Sequence, residues 1–258
     1  MRRLWSLPPL RSISVRRRIW NGRNRLGALR RSLFERLGSD RYSHPALHDL
    51  DRKLTTWLPQ RGGFFIEVGA YDGFIQSNTY WLERFREWRG VLVEPVPHLF
   101  ANAQRVRPRS RVVNCALVSP DHGEPTVTIR YGGLMSVVKG ARGGAEYEER
   151  HVRAGDMFGL DDVAYDIPVP ARTLSSVLDE ACAPKDIDLL SLDVEGYEAS
   201  VLRGLDLERF APRFILMEMD APERRAPVEA VIGDRYELVE RLSPVDVLYR
   251  LRDGTPDS

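Results

Sequence analysis

The stretch Phe64-Phe65-Ile66-Glu67-Val68-Gly69-Ala70-Tyr71-Asp72-Gly73 restricts the fold more tightly than any other part of this chain. A short apolar run ends in an acid, a glycine-bounded loop follows, and an amphipathic segment runs from Ser77 to Arg86. This is the strand–loop–helix opening of a nucleotide-binding α/β domain, in which small residues let the backbone approach a ligand closely. A dinucleotide fingerprint needs a glycine in the middle of the loop, where the pyrophosphate passes. Ala70 and Tyr71 fill that space instead, and Asp72 adds negative charge. Such a loop repels a pyrophosphate and tolerates a cationic, phosphate-free nucleoside.

The 258 residues suffice for one full α/β core with an appendage. A formal net charge of +1 gives no reason to expect a nucleic-acid partner. The charge is uneven, because residues 1–38 hold eleven arginines against Glu35 alone. The isolated thiols Cys115 and Cys182 argue for neither a disulfide framework nor a zinc site, so a reducing, cytoplasmic setting is expected. No apolar run approaches the roughly 20 residues that span a bilayer. Arg11, Arg16, Arg17 and Arg18 also break any apolar core of a secretory signal.

Residues 1–45 form a basic lead punctuated by Trp5, Trp20 and Phe34, with a helix expected near Leu26–Leu37. It reads as a partly ordered arm or a packing helix, or as a peripheral contact of residues 1–38 with anionic lipid or an acidic partner. The remaining 46–258 read as one domain. A helix over His48–Leu58 leads into strands and helices that alternate as in a parallel sheet with crossover helices. Strands are expected at Phe64–Val68, Gly90–Glu94 and Arg111–Leu117, with helices at Asn78–Trp88 and Pro97–Arg105 between them. Pro125–Tyr131 and Asp166–Ala171 read as strands around a glycine-rich insert at 132–162, a lid or substrate loop with a short helix near Ala145–Val152. The alternation resumes with helix Thr173–Ala181, capped by Thr173, then strand Ile187–Leu192, helix Tyr197–Leu202 and strand Arg213–Met219. Arg235–Leu242 and Val245–Leu251 close the chain as an antiparallel pair. The expected fold is α/β and Rossmann-like, with a mostly parallel seven-stranded sheet, helices on both faces and a C-terminal hairpin.

The cationic nucleoside favoured by the first loop matches S-adenosylmethionine. Glu94, at the end of the second strand and followed by Pro95, is placed to accept bonds from both ribose hydroxyls. Glu67 would orient the loop or meet the sulfonium end, and Ser77 and Asn78 would cap the next helix, contact the ligand carboxylate, or both. Small residues around Ala116 suit the adenine edge. Together with Gly69, Ala70, Tyr71, Asp72, Gly73 and Asp193 these are the candidate cofactor contacts. A second constellation, Ile187 to Glu198, again ends a strand in acids before a glycine. Its strand is expected beside the first, with Asp193 and Glu195 across the cleft from Gly69. Glu218 and Asp220 end the strand after that. Converging acids need something positive or proton-donating between them. Glu198 and Asp220 are read as solvated.

At these stretches the chain resembles the FkbM family of S-adenosylmethionine-dependent methyltransferases. The likeness runs through Phe65 to Gly73, Ser77-Asn78-Thr79, Gly90 to Pro95, Arg172-Thr173-Leu174, Ile187 to Glu198 and Val201 to Gly204. It covers about residues 62–220. The resemblance implies a class I methyltransferase fold and methyl transfer to a hydroxyl oxygen of a sugar, glycolipid or polyketide-type molecule. Glu67 stands where many relatives have aspartate, which keeps the carboxylate.

For the transfer, Asp193 or Glu195 is the expected base at the acceptor oxygen, with Glu218 in reserve. No metal is assigned: His44, His48, His98, His122 and His151 are scattered and support no softer metal, and the rival chemistry has Asp193 and Glu218 holding a magnesium-type ion. His122 and His151 flank the insert and are read as exposed. Two other classes stand beside this reading: a dinucleotide oxidoreductase, opposed by the loop, and a non-catalytic module docked through the arginine-rich lead.

Overall fold

Five short segments are apolar at both odd and even positions, the pattern of strands covered on both faces. The computed structural model describes residues 25–141, 144, 146, 148–150, 164–219 and 222–253. Its first half comprises α1 (residues 25–36), α2 (Leu50–Trp57), β1 (Phe64–Val68), α3 (Tyr80–Phe85), β2 (Arg89–Val93), α4 (Pro97–Val106), β3 (Arg111–Val113) and β4 (Ala116–Leu117). Then come β5 (Thr126–Tyr131), β6 (Val137–Val138), β7 (Tyr165–Arg172), α5 (Leu174–Glu180), β8 (Leu189–Leu192) and α6 (Glu198–Arg203). The chain closes with β9 (Phe214–Glu218), α7 (Pro222–Ile232), β10 (Tyr236–Arg241) and β11 (Asp246–Leu251).

The main sheet has seven strands in the order β10-β11-β9-β8-β1-β2-β3. The five from β9 to β3 run parallel, and β11 and β10 join antiparallel as the expected hairpin. Strand β1 lies between β2 and β8, so the chain's direction of progress across the sheet reverses there. In an open α/β sheet that reversal opens a crevice beyond the carboxyl ends of the strands. The expected neighbourhood of the first strand and the 187–192 segment is therefore observed.

Alternation along each strand divides the core. Ile66, Val68, Leu190, Leu192, Ile215 and Met217 face α5, α6 and α7 through Leu174, Val177, Val201, Leu202 and Val228. Phe65, Leu92, Leu189 and Leu216 face the other way, onto Leu50, Leu54, Leu82 and Ala103 of α2, α3 and α4. Each fully buried leucine or phenylalanine contributes about 1.5–3 kcal/mol, so this two-sided core supplies most of the driving force.

The segment Arg111–Leu117, read as one strand, is two. β3 pairs with β2 in the main sheet, whereas β4 pairs with β7 in a second, four-stranded sheet ordered β4-β7-β5-β6. The break falls at Asn114, whose side-chain amide donates to the carbonyls of Glu94 (2.9 Å) and Pro95 (2.8 Å). That sheet holds the expected strands at 125–131 and 166–171 and adds β6 from within the insert. Helix α7 was not expected from the sequence. Residues 146 and 148–150 are helical, in line with the helix expected at 145–152. The rest of that insert, His151, Asp220 and residues 1–24 of the basic lead lie outside the described residues.

Candidate active site

The carboxyl end of β1 delivers Glu67 and Gly69 to opposite jobs. Glu67 is 4% exposed, and its carboxylate accepts from Ser77 Oγ, the Asn78 amide (2.9 Å), Thr79 Oγ1 (2.7 Å) and Arg107 Nη1 (3.1 Å). Arg107, at the C-terminus of α4, is itself 1% exposed and also donates to Glu83 (2.9 Å), Thr79 Oγ1 (2.7 Å) and the Gly73 carbonyl (3.3 Å). The sequence offered no sign of Arg107, because its partners lie 24 to 40 residues away. Glu67 thus fastens the far side of the glycine loop and also borders the cavity described below. Ser77 Oγ accepts from the Tyr80 amide at 3.1 Å, although the N-cap position of α3 is held by Thr79 rather than by Ser77 or Asn78.

Gly69 has φ +83°, and a Cβ there would lie 2.0 Å from the Asp193 carbonyl oxygen. Only glycine lets β1 and the β8 loop close this gap. The amides of Gly69 and Ala70 donate to the Val93 carbonyl (both 3.1 Å), tying the loop to β2. Tyr71, Gln76 and Glu195 are non-glycine residues at φ +49°, +58° and +53°. All three line the cavity, and left-handed backbone at such residues is held only where surrounding structure over-determines it.

That cavity lies beyond β1, β2 and β8 and encloses about 960 Å³, its open mouth included. Glu67, Gly69, Tyr71, Asn78, Glu94, Pro95, Ala116, Asp193 and Glu195 among the expected residues form its wall. Ala70, Gly73 and Ser77 support the loop without lining it. Asp72 is turned to a separate groove against α1, and its Oδ1 accepts from the Phe74 (2.9 Å) and Ile75 (2.8 Å) amides. Its charge is spent on the turn. Residues the sequence did not single out complete the wall: Ile129, Gly133, Leu134, Ser136 and Val138 form a roof from the second sheet and the insert.

Glu94 is 4% exposed, with one carboxylate oxygen accepting from the Tyr71 amide and the other from the Val96 amide, both at 2.8 Å. Burial pushes its carboxyl up to about 8 against the pull of those two donors. Each oxygen keeps lone-pair capacity toward the cavity. Asn78 donates to Ser191 Oγ at 3.1 Å, while its Oδ1 is buried and has no hydrogen-bond partner among the described residues.

A second recess of about 790 Å³ shares Gln76, Asn78, Leu134, Ser191, Asp193 and Glu195 with the first. Leu47, Met135, Glu218, Val245 and Asp246 extend it over the ends of β9 and β11. Carboxylate oxygens of Asp193, Glu195 and Glu218 lie within 4.8 Å of one another at the junction. The Asp193 side chain reaches open cleft space, yet the protein packed around it and the charges of Glu195, Glu218, Glu198 and Asp246 hold its carboxyl well above the usual range. Glu218 has Arg224 Nη1 at 3.5 Å. Glu198, expected to be solvated, is instead 2% exposed, paired with Arg224 and accepting from the Gly196 amide at 3.0 Å. His122 bonds the Thr126 carbonyl at 3.2 Å and lines neither recess.

A family model described as the methyltransferase FkbM domain matches residues 67–237. No curated protein matches the chain. Among solved structures it is similar to a TehB-like SAM-dependent methyltransferase from Corynebacterium glutamicum, at 12% identity over 90% of this chain and 100% of that one, with TM-score 0.41. It is similar to methyltransferase FkbM from Methylobacillus flagellatus at 14% identity, over 81% of this chain and 49% of that one, with TM-score 0.45. The chain therefore spans about half of that protein's length. An O-methyltransferase from Bacillus cereus, in complex with SAH, shares 11% identity over 79% of each chain, with TM-score 0.41.

Proposed function

From the premise that this chain belongs to the FkbM methyltransferase family, we propose that it transfers a methyl group from S-adenosylmethionine to a hydroxyl oxygen of a small acceptor. A sugar, glycolipid or polyketide-type alcohol is the acceptor class proposed. The observation that carries this reading is the pair of joined recesses meeting at Asp193 and Glu195. One has the size and wall of a nucleoside site, and the other carries acids toward a second molecule.

The residues present fit the cofactor. Gly69 lets the loop close against the Asp193 carbonyl, Glu94 offers paired oxygens for ribose hydroxyls, and Asn78 Oδ1, buried with no hydrogen-bond partner among the described residues, suits an ammonium group. When bound, S-adenosylmethionine supplies a methyl group on a positively charged sulfur. The chain then has to hold the acceptor oxygen in line with that methyl and keep water out. Leu134, Met135 and Val245 give the second recess its apolar walls. Asp193 takes the acceptor proton, and its raised carboxyl pKa brings it nearer to a base matched to neutral pH. Glu195 shares the task and Glu218 stands behind it. General-base help of this kind contributes about 10²–10⁴-fold.

The assignment is tested with labelled methyl donor and a panel of polyhydroxylated acceptors. Asp193→Asn combined with Glu195→Gln should abolish transfer while donor affinity changes little; transfer at the parent rate removes both residues from the role. The three converging carboxylates favour a second reading, in which they hold a magnesium-type ion that lowers the acceptor's pKa. Turnover unaffected by a chelator discards it.

A further inference from the structure

Helix α1 and the turn that ends it show leucine to solvent along their whole length. Leu26, Leu29, Leu33 and Leu37 are 69%, 68%, 57% and 75% exposed. At 100° per residue the four fall within an arc of about 80° and run about 16 Å along the axis. Arg25 and Arg36 flank the stripe on one side. Arg30 flanks the other, its guanidinium over the Tyr42 ring at 3.9 Å.

The opposite face is pinned to the domain, so the stripe has a fixed direction. Glu35, the sole acid of residues 1–38, points inward and accepts from Ser43 Oγ (2.8 Å), Tyr80 Oη (2.7 Å) and Arg84 Nε (2.8 Å). Arg31 lies over the Phe74 ring at 3.5 Å, joining α1 to the glycine loop. The outward face consequently carries leucine and arginine with no acid.

We propose that this face seats the protein on an anionic bilayer surface, the leucines entering the acyl boundary while the arginines meet lipid phosphates. Charge selects this occupant over the others. A second copy would set Arg25, Arg30 and Arg36 against their own equivalents. The preceding segment, residues 1–24, brings seven further arginines and no acid, so it repels the same flanks. That segment continues the composition of the stripe, with Leu4, Trp5, Leu7, Leu10, Ile13, Ile19 and Trp20 among its arginines. A long mixture of arginine, tryptophan and aliphatic residues suits an extended interface better than one groove on an acidic protein. Guanidinium groups beside sunken leucines keep their charge at headgroup level by extending along the stem.

Flotation of the full chain with phosphatidylcholine vesicles, plain or mixed with phosphatidylglycerol, tests this. Binding should appear with the anionic vesicles, fall with added salt, and drop at least about tenfold when Leu26, Leu29, Leu33 and Leu37 are all changed to serine. Parent-like circular dichroism would show that the variant is folded. On the unaltered chain, amide exchange over residues 25–37 should slow when anionic vesicles are added. No binding to anionic vesicles overturns the proposal, as does equal binding by the serine variant or unchanged exchange in the bound chain. Dimerisation abolished by the serine changes without lipid binding would assign the face to a second copy and overturn it likewise.

Discussion

The Arg107 guanidinium is spread over Glu67, Glu83, Ser77, Thr79 and the Gly73 carbonyl, and through them it holds the glycine loop to α3 and α4. Removing one member of a buried ion pair leaves an uncompensated charge, so Arg107→Ala should cost about 3–5 kcal/mol in urea unfolding. Arg107→Lys should restore only part of that, because an ammonium cannot fork between Glu67 and Glu83. Full stability in the alanine variant would contradict the network. Glu94 makes a prediction of another kind. Its carboxyl stands at about 8 in the fold against an ordinary 4.5, so the folded state binds the extra proton. The free protein should therefore lose stability as pH rises from about 4.5 to about 8, and level off above that. A Glu94→Gln chain should show a flatter profile over the same window, read from thermal midpoints. Cofactor binding should run the opposite way, tightening up to about tenfold per pH unit below 8, because the ribose contact proposed for Glu94 needs its ionised form.

Elements defined by adjacent residues are legible in the sequence. Strand β1 follows from its unbroken apolar run, and α5 from Thr173, whose Oγ1 accepts from the Ser176 amide at 3.3 Å. Thr173→Ala should cost about 1 kcal/mol of stability, checked by the shift of the denaturant midpoint at unchanged slope. Elements defined by distant partners are not legible there. The chain turns from β3 to β4 because Asn114 reaches back to Glu94 and Pro95, and local pattern carries no trace of that. Helix α7 is hidden because Pro227 sits inside it, which reads as a breaker. The active-site roof likewise depends on β6, a two-residue strand held in place by pairing with β5. Of the site, the acids and glycines at strand ends are readable, since their meaning lies in strand–loop–helix order. The Arg107 brace, the burial of Glu198 and the outward use of Asp72 in a turn arise only once the sheet brings distant segments together.

At the scale of the whole molecule, one reversal in strand order decides where the candidate site forms. With β1 between β2 and β8, Gly69, Glu94 and Asp193 arrive at one cavity from three strand ends. Among the described residues no helix is long and apolar enough to cross a membrane. Titration calorimetry with S-adenosylmethionine against the parent and Glu94→Ala proteins, with NAD as the competing ligand class, tests the central claim most directly. The account predicts one S-adenosylmethionine per chain, affinity weakened about 10- to 100-fold in the variant, and no heat from NAD. Equal affinity in both proteins, or NAD binding in place of S-adenosylmethionine, would contradict it.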